Sequence, residues 1–79
     1  MNDEAIEKQY EVIIGRNIKR ILKERKIKQR EAAVWLGLDE SALSKYIRGL
    51  RLPKLVTVIR FINHTGCTFE ELTKDEAAV

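Results

Sequence analysis

Apolar residues recur at spacings of three and four along most of the chain, which is the pattern of helices that bury one face. The clearest run predicts a first helix over about 11–25, while residues 3–10 either extend it or fray, because Gly15 weakens its middle. No stretch alternates apolar and polar residues as a half-buried strand does. The sequence therefore predicts an all-α protein. The apolar stripe of the first helix is Ile6, Tyr10, Ile13, Ile14, Ile18, Ile21 and Leu22.

Four shorter helices follow the first one. A helix over about 29–36 should end at Gly37, since glycine readily takes the left-handed conformation of a tight helix exit. Asp39 suits the cap of a third helix that runs to about residue 48, and Pro53 is expected to open a fourth. Thr68 and Glu71 have the spacing of a capping box for a short fifth helix. The predicted inner faces are Ala32, Ala33 and Leu36; Leu43, Tyr46 and Ile47; Leu55, Val58, Ile59 and Ile62; and Phe69 and Leu72.

The second and third predicted helices have the arrangement of a helix-turn-helix at about 29–48, because only a short turn at Gly37 separates them. Ala33 is small where two closely crossing helices need a small residue. The second helix of such a pair fits the DNA major groove, so duplex DNA is a candidate ligand. The polar residues expected on its outer face are Glu40, Ser41, Ser44 and Lys45.

Charge is distributed unevenly along the chain, although the net charge is only +3. Residues 16–60 carry 13 Lys/Arg against 4 Asp/Glu, whereas residues 1–15 and 61–79 each have a net charge of −3. A concentrated basic region is expected of a surface that contacts phosphates, although a solvated basic surface has the same composition.

Other classes of function find little support in the residues present. One cysteine, Cys67, and one histidine, His64, can form neither a disulfide scaffold nor a closed zinc site. Cys67 is expected to be a buried thiol, and no acidic partner for nucleophilic catalysis is indicated. We therefore expect no catalytic residue, no metal and no cofactor. The sequence shows neither a membrane-spanning run nor a secretory signal, so a cytoplasmic location is expected.

The chain resembles the Cro/phage-repressor type of helix-turn-helix domain, the Xre-like family, over about residues 14–72. The residues that carry the resemblance are Gln29-Arg30-Glu31-Ala32-Ala33, Leu36-Gly37-Leu38, Ser41-Ala42-Leu43-Ser44-Lys45-Tyr46, Arg48-Gly49 with Pro53, and Thr65-Gly66-Cys67-Thr68-Phe69-Glu70-Glu71-Leu72.

The resemblance implies a five-helix, lambda-repressor-like DNA-binding domain that acts as a transcriptional regulator. That domain would span 11–73, with an N-terminal extension at 1–10 and a flexible tail at 74–79. The family usually binds a two-fold-related operator as a homodimer, and the resemblance indicates a bacterial or phage origin and a nucleoid-associated location. Carried over by position, the base-reading residues are Glu40, Ser41, Ser44 and Lys45, and the phosphate-binding residues are Lys28, Gln29, Arg48, Arg51 and Lys54.

Three departures from the family pattern concern the interior and the approach to the second helix. The family often has a buried Arg–Glu pair at the positions of Leu22 and Ile47. Because both charged residues are replaced here, no unpaired charge is left in the interior. We expect the two apolar side chains to touch. Lys26 stands where the family often has glycine, which predicts a strained turn. Lys28 is a poor helix cap and either contacts a phosphate or is a solvated loop lysine.

A further departure leaves an alternative function open. Val34 and Trp35 occupy positions that are usually polar, so either the N-terminal segment covers Trp35 or the pair forms a surface for a protein partner or a dimer. In that second case the protein could be an antitoxin or an adaptor module on the same fold. Glu40 is similarly ambiguous, because its carboxylate suits cytosine N4 but also suits the positive start of a helix.

Overall fold

The computed structural model describes residues 2–75, which form five α-helices and no strand within that span. The all-α, five-helix prediction is confirmed. The helices are α1 (Asp3–Glu24), α2 (Gln29–Leu36), α3 (Glu40–Ile47), α4 (Leu55–Thr65) and α5 (Phe69–Thr73). Most of the predicted tail, residues 76–79, lies outside the described residues.

The long helix α1 is continuous from its first turn, so residues 3–10 extend it. The Asn2 side chain accepts a hydrogen bond from the Ala5 amide at 3.1 Å, and Asp3 and Glu4 favour the positive start of the helix. Gly15 does not interrupt the helix. It is buried at the point where α1 packs closely against the end of α3.

The core lies between α1 and the other four helices, with α1 packed against α3 and α5 and with α2 packed against α3 and α4. The inner faces predicted for α2 and α3 are confirmed, except that Ile47 is only half-buried. Burying one large apolar side chain contributes about 1.5–3 kcal/mol, so a few such residues decide the stability of so small a domain. The largest fully buried side chains are Phe61, Ile21, Leu36, Leu43 and Leu72.

Helix α4 differs from its prediction in both its start and its inner face. It begins at Leu55 with Lys54 as its cap, and Pro53 is buried in the preceding segment. The buried residues are Thr57, Val58 and Phe61, whereas Leu55 and Ile59 are exposed. The prediction followed the most apolar residues, but the helix is rotated so that Thr57 is buried while Leu55 and Ile59 face outward.

The predicted cover of Trp35 was also wrong. Its ring stacks on His64 of α4 with a centroid distance of 4.4 Å, and it lies 6.1 Å from the Phe61 ring. Trp35 is half-buried, while its neighbour Val34 is exposed. Helix α4, rather than the N-terminal segment, therefore covers the tryptophan.

Helix α5 is capped as predicted but buries only one of its two apolar residues. The Thr68 hydroxyl accepts a hydrogen bond from the Glu71 amide at 3.0 Å. Leu72 is fully buried, whereas Phe69, which was expected to point inward, is exposed because a five-residue helix turns only part of its surface to the core. Asn17 of α1 closes the other end of α5 by donating to the Leu72 carbonyl at 2.7 Å.

Candidate nucleic-acid interface

Helices α2 and α3 are joined by the three residues 37–39. Gly37 takes the left-handed conformation (φ 70°), and the Leu38 amide donates to the Ala33 carbonyl at 2.9 Å, which ends α2 sharply. The Asp39 carboxylate then accepts from the Ala42 amide at 2.7 Å and starts α3. The predicted helix-turn-helix is therefore present, with Gly37 and Asp39 in their predicted roles.

Helix α3 buries one side and presents a polar side. Leu43 and Tyr46 are buried, Glu40 and Ser41 are exposed, and Ser44 and Lys45 are half-buried. Ser41 and Lys45 stand one turn apart, so both belong to the same side of the helix. All four predicted base-reading residues thus reach the surface, in one strip over positions 40–45 of the helix.

A surface ion pair joins the two helices at the start of that strip. The Arg30 guanidinium Nε lies 3.5 Å from a Glu40 carboxylate oxygen, and both side chains are largely exposed. A pair this exposed adds little stability. It does set a cation beside the one carboxylate of the strip, which reduces the repulsion between Glu40 and a DNA phosphate. Sequence reasoning did not assign Arg30 to the site.

Two helices begin after a lysine whose side chain accepts no hydrogen bond from the first backbone amides. Lys28 precedes α2 and Lys54 precedes α4, both in extended conformation and neither with a side-chain capping bond. By contrast, polar side chains cap α1, α3 and α5. An uncapped helix start with a cation beside it suits an anion, because its amides lack partners and the helix dipole is positive there. Both lysines were among the predicted phosphate-binding residues, and Gln29 lies exposed beside the first.

A cavity of about 230 Å³ lies where α1, the start of α2 and the end of α3 meet. Leu22 and Ile47 both line it, so the two apolar replacements border one space, while their direct contact stays a prediction. Gln29 also lines it, which places the start of α2 beside the end of α3. The cavity brings in two lysines that the sequence did not single out, Lys19 and Lys23, although their spacing of four places them on one side of α1.

The turn before α2 is strained as predicted. Lys26 has φ 57°, the left-handed region that glycine adopts more easily than lysine. The remaining phosphate candidates, Arg48 and Arg51, are exposed in the segment between α3 and α4. Between Glu40 and Glu70 the chain has five Lys or Arg residues and no Asp or Glu, so the segment from α3 through α4 carries a net positive charge.

Little in residues 2–75 points to another kind of site. Cys67 is buried, as predicted. No group of three or more His, Cys, Asp or Glu side chains in that part of the chain could hold a metal ion. None of the described helices combines the length and the apolar character that a membrane crossing requires.

The fold and this surface define a small helix-turn-helix domain of the DNA-binding class. A family model described as Helix-turn-helix matches residues 18–72, about two thirds of the chain, and the protein belongs to that family, in its Cro/Xre-like form. The family is one of DNA-binding regulatory domains and is not typically enzymatic. No curated protein and no solved structure matches the chain.

Proposed function

We propose that this protein is a sequence-specific transcriptional regulator of the repressor type that lays α3 in the major groove of duplex DNA. The observation that carries the proposal is the polar strip of α3, taken together with the uncapped, lysine-flanked starts of α2 and α4. The groove accepts one helix, and helix starts bind phosphates. In this arrangement the flanking contacts fix the register of α3 on the duplex while the strip reads the bases.

The residues divide into two groups by the part of DNA that they would meet. Ser41 and Lys45, one turn apart on α3, are assigned to base edges, with Ser44 and the Arg30-paired Glu40 beside them. Lysine suits the guanine acceptors O6 and N7. The residues assigned to DNA phosphates are Lys28, Gln29, Arg48, Arg51 and Lys54. Lys19 and Lys23, which line the cavity, extend this cationic surface onto α1.

The salt dependence of binding to random duplex DNA tests the proposal most directly. A plot of the logarithm of the binding constant against the logarithm of the salt concentration has a slope of about −0.9 for each phosphate neutralised. The four cationic residues assigned to phosphates therefore predict a slope of about −3 to −4 per protomer. The measurement is a fluorescence-anisotropy titration at several salt concentrations. A flat slope, or no binding at low salt, would show that the cationic surface does not contact DNA. Either result would rule out the proposed function as a DNA-binding regulator.

Two substitutions should separate base reading from phosphate contact once a preferred site has been selected. Lys45→Ala is expected to lose about 1–3 kcal/mol on the preferred site and to relax the base preference at one position. Arg51→Ala should weaken preferred and random DNA alike and make the salt slope less steep by about one. Competition titrations with both DNAs measure this. Equal losses on the two DNAs for Lys45→Ala would contradict its assignment.

A homodimer on a two-fold-related site completes the proposed function. One α3 contacts only a few base pairs, and pairing two copies doubles the length of DNA that is read. The alternative, an antitoxin or adaptor that binds a partner protein at Val34 and Trp35, is less well supported, because α4 covers the tryptophan and leaves only Val34 exposed. The regulator is proposed to act in the cytoplasm, on the nucleoid.

A further inference from the structure

The cavity where α1, the start of α2 and the end of α3 meet is open to solvent, because three of its lining residues, Lys19, Lys23 and Gln29, are exposed. Its volume is about 230 Å³. Sites for drug-sized ligands have volumes of about 300–1,000 Å³. The size of this cavity therefore fits a smaller molecule.

The inner wall of the cavity is apolar. It consists of Leu22, which is buried, and of Ile27 and Ile47, which are half-buried. The family often has a charged pair at the positions of Leu22 and Ile47, and such a pair would give this space polar walls. In the present chain, water that enters the cavity finds few hydrogen-bond partners on that side. An apolar group that displaces such water gains affinity.

The turn after α1 holds this wall in place. Lys26 takes the left-handed conformation (φ 57°), and the Ile27 amide donates to the Leu22 carbonyl at 2.9 Å. The bond ties two of the three apolar lining residues together. The cavity is thus formed without a ligand, as most small-molecule sites are.

The outer edge of the cavity is cationic. Lys19 and Lys23 lie one turn apart on α1, and a lysine can cover apolar surface with its stem while its ammonium group stays in water. Among the described residues, none that lines the cavity is acidic. Glu24, the acidic neighbour of Lys23, pairs with Arg20 at 3.1 Å. The molecule that suits the cavity is therefore apolar at one end and anionic at the other.

We propose that the cavity binds a small carboxylate with an apolar body, and that this ligand competes with DNA. The apolar body lies against Ile27 and Ile47, and the carboxylate pairs with the ammonium groups of Lys19 and Lys23. A phosphate monoester suits the site less well, because it carries up to two charges and three strong acceptor oxygens beside an apolar wall.

The competition follows from residues that the cavity shares with the proposed DNA surface. Gln29 is assigned to a DNA phosphate, and Lys19 and Lys23 extend the same surface, so ligand and DNA exclude each other. The ligand would release the regulator from its site. This competition rests on the proposed function, whereas the binding site itself does not.

An NMR titration of the ¹⁵N-labelled full chain with sodium octanoate tests the site. The amides of residues 23–29 and of Ile47 should shift, while those of α5 should stay unchanged. Sodium acetate lacks the apolar body and 1-octanol lacks the charge, so each should bind at least about tenfold more weakly than octanoate. From butanoate to octanoate, each further methylene that is buried should tighten binding by up to about fourfold.

Two variants separate the apolar and the charged parts of the site. Ile47→Trp should weaken octanoate binding by more than about tenfold, because the larger ring occupies the cavity. Lys19→Gln with Lys23→Gln should weaken octanoate about five- to tenfold and leave 1-octanol unchanged. Circular dichroism checks the fold. The lysine variant changes only exposed positions, so it keeps the test decisive if Ile47→Trp does not fold.

The matched control is Lys8→Gln with Lys74→Gln. It removes the same two charges at exposed positions outside the cavity lining. Its affinity for octanoate should stay within about twofold of the wild type, because exposed charges act only over about 10 Å at moderate salt.

Competition is measured separately, by fluorescence anisotropy on random duplex DNA at constant ionic strength. Octanoate at ten times its own dissociation constant should raise the apparent dissociation constant for DNA about elevenfold. Acetate at the same concentration should raise it by less than about twofold.

Several results would overturn the inference. Absence of octanoate binding, or equal binding to the wild type and the Lys19/Lys23 variant, excludes the site. Shifts confined to the exposed apolar residues of α4 would show that octanoate binds there instead. Octanoate bound in the cavity without displacement of DNA would exclude the competition. A chain that binds no DNA even without octanoate refutes the proposed function, while the NMR titration still decides the site.

Discussion

Replacing Gly15 with alanine is expected to lower the free energy of unfolding by about 3 kcal/mol, at the upper end of the usual cost of overpacking. A β-carbon at this position would collide with the Tyr46 carbonyl oxygen and lie 2.8 Å from that of Ile47. Both obstacles are backbone atoms at the end of α3, so no side chain can rotate away. Helix α1 would have to separate from α3, and the helix proposed to read bases would lose its support.

The direction of this effect is informative because helix propensity predicts the opposite. In an exposed helix interior alanine is about 1 kcal/mol more favourable than glycine. Urea unfolding followed by the fluorescence of Trp35, the single tryptophan, measures the difference. For a domain of this size each kcal/mol shifts the melting temperature by about 4–8 °C.

Arg16→Ala is the matched control for this prediction. It introduces the same residue at the next position of α1, where the side chain is exposed. A change within about 0.5 kcal/mol is expected there, as for most surface substitutions. If Gly15→Ala proved as stable as the wild type, the close approach of α1 and α3 would be wrong.

The same glycine illustrates how far the sequence alone could lead. Periodicity and caps predicted all five helices, because glycine, aspartate and threonine mark helix ends through local chemistry that needs no tertiary contact. Gly15 was read as a weak point of α1, since its actual role depends on a helix 31 residues further along the chain. A residue that permits close approach carries no local signature.

The errors on α4 have a related origin. The prediction counted Leu55 and Ile59 as inner residues because they are more apolar than Thr57. Which side of a helix with apolar residues on more than one face packs on the core depends on the helices around it. Because Leu55 and Ile59 face outward, apolar side chains are left exposed on α4. Similarly, the two lysines of α1 joined the candidate DNA surface only when the cavity showed which elements meet there.

Asn17 carries the other large expected effect, and it too was absent from the sequence-based analysis. It is 2% exposed and donates two hydrogen bonds from its amide, to the Leu72 carbonyl at 2.7 Å and to the Lys74 carbonyl at 2.8 Å. Its own oxygen accepts from Arg20 at 3.3 Å. The last carbonyls of a helix have no partner within it, so Asn17 completes the end of α5 together with Arg20, which donates to the Glu71 carbonyl at 3.3 Å.

Asn17→Leu is expected to destabilise the protein by about 2–3 kcal/mol, because leucine keeps the branched shape but leaves two carbonyls without their donor. Urea unfolding gives the global loss. Hydrogen exchange should locate it in α5, where the Leu72 amide, bonded to the Thr68 carbonyl at 3.2 Å, should lose protection before the amides of α2 and α3 do.

Asn63→Leu provides the matched control, since Asn63 is an exposed asparagine on α4. That variant should stay within about 0.5 kcal/mol of the wild type and leave the exchange of α5 unchanged. Loss of protection spread evenly over all helices in Asn17→Leu would contradict a local role at the end of α5. Because α5 packs on α1 at a contact separate from that of α3, binding to random DNA should be retained under conditions where the variant is folded. Loss of DNA binding by the folded variant would instead mean that α5 supports the DNA-binding surface through α1.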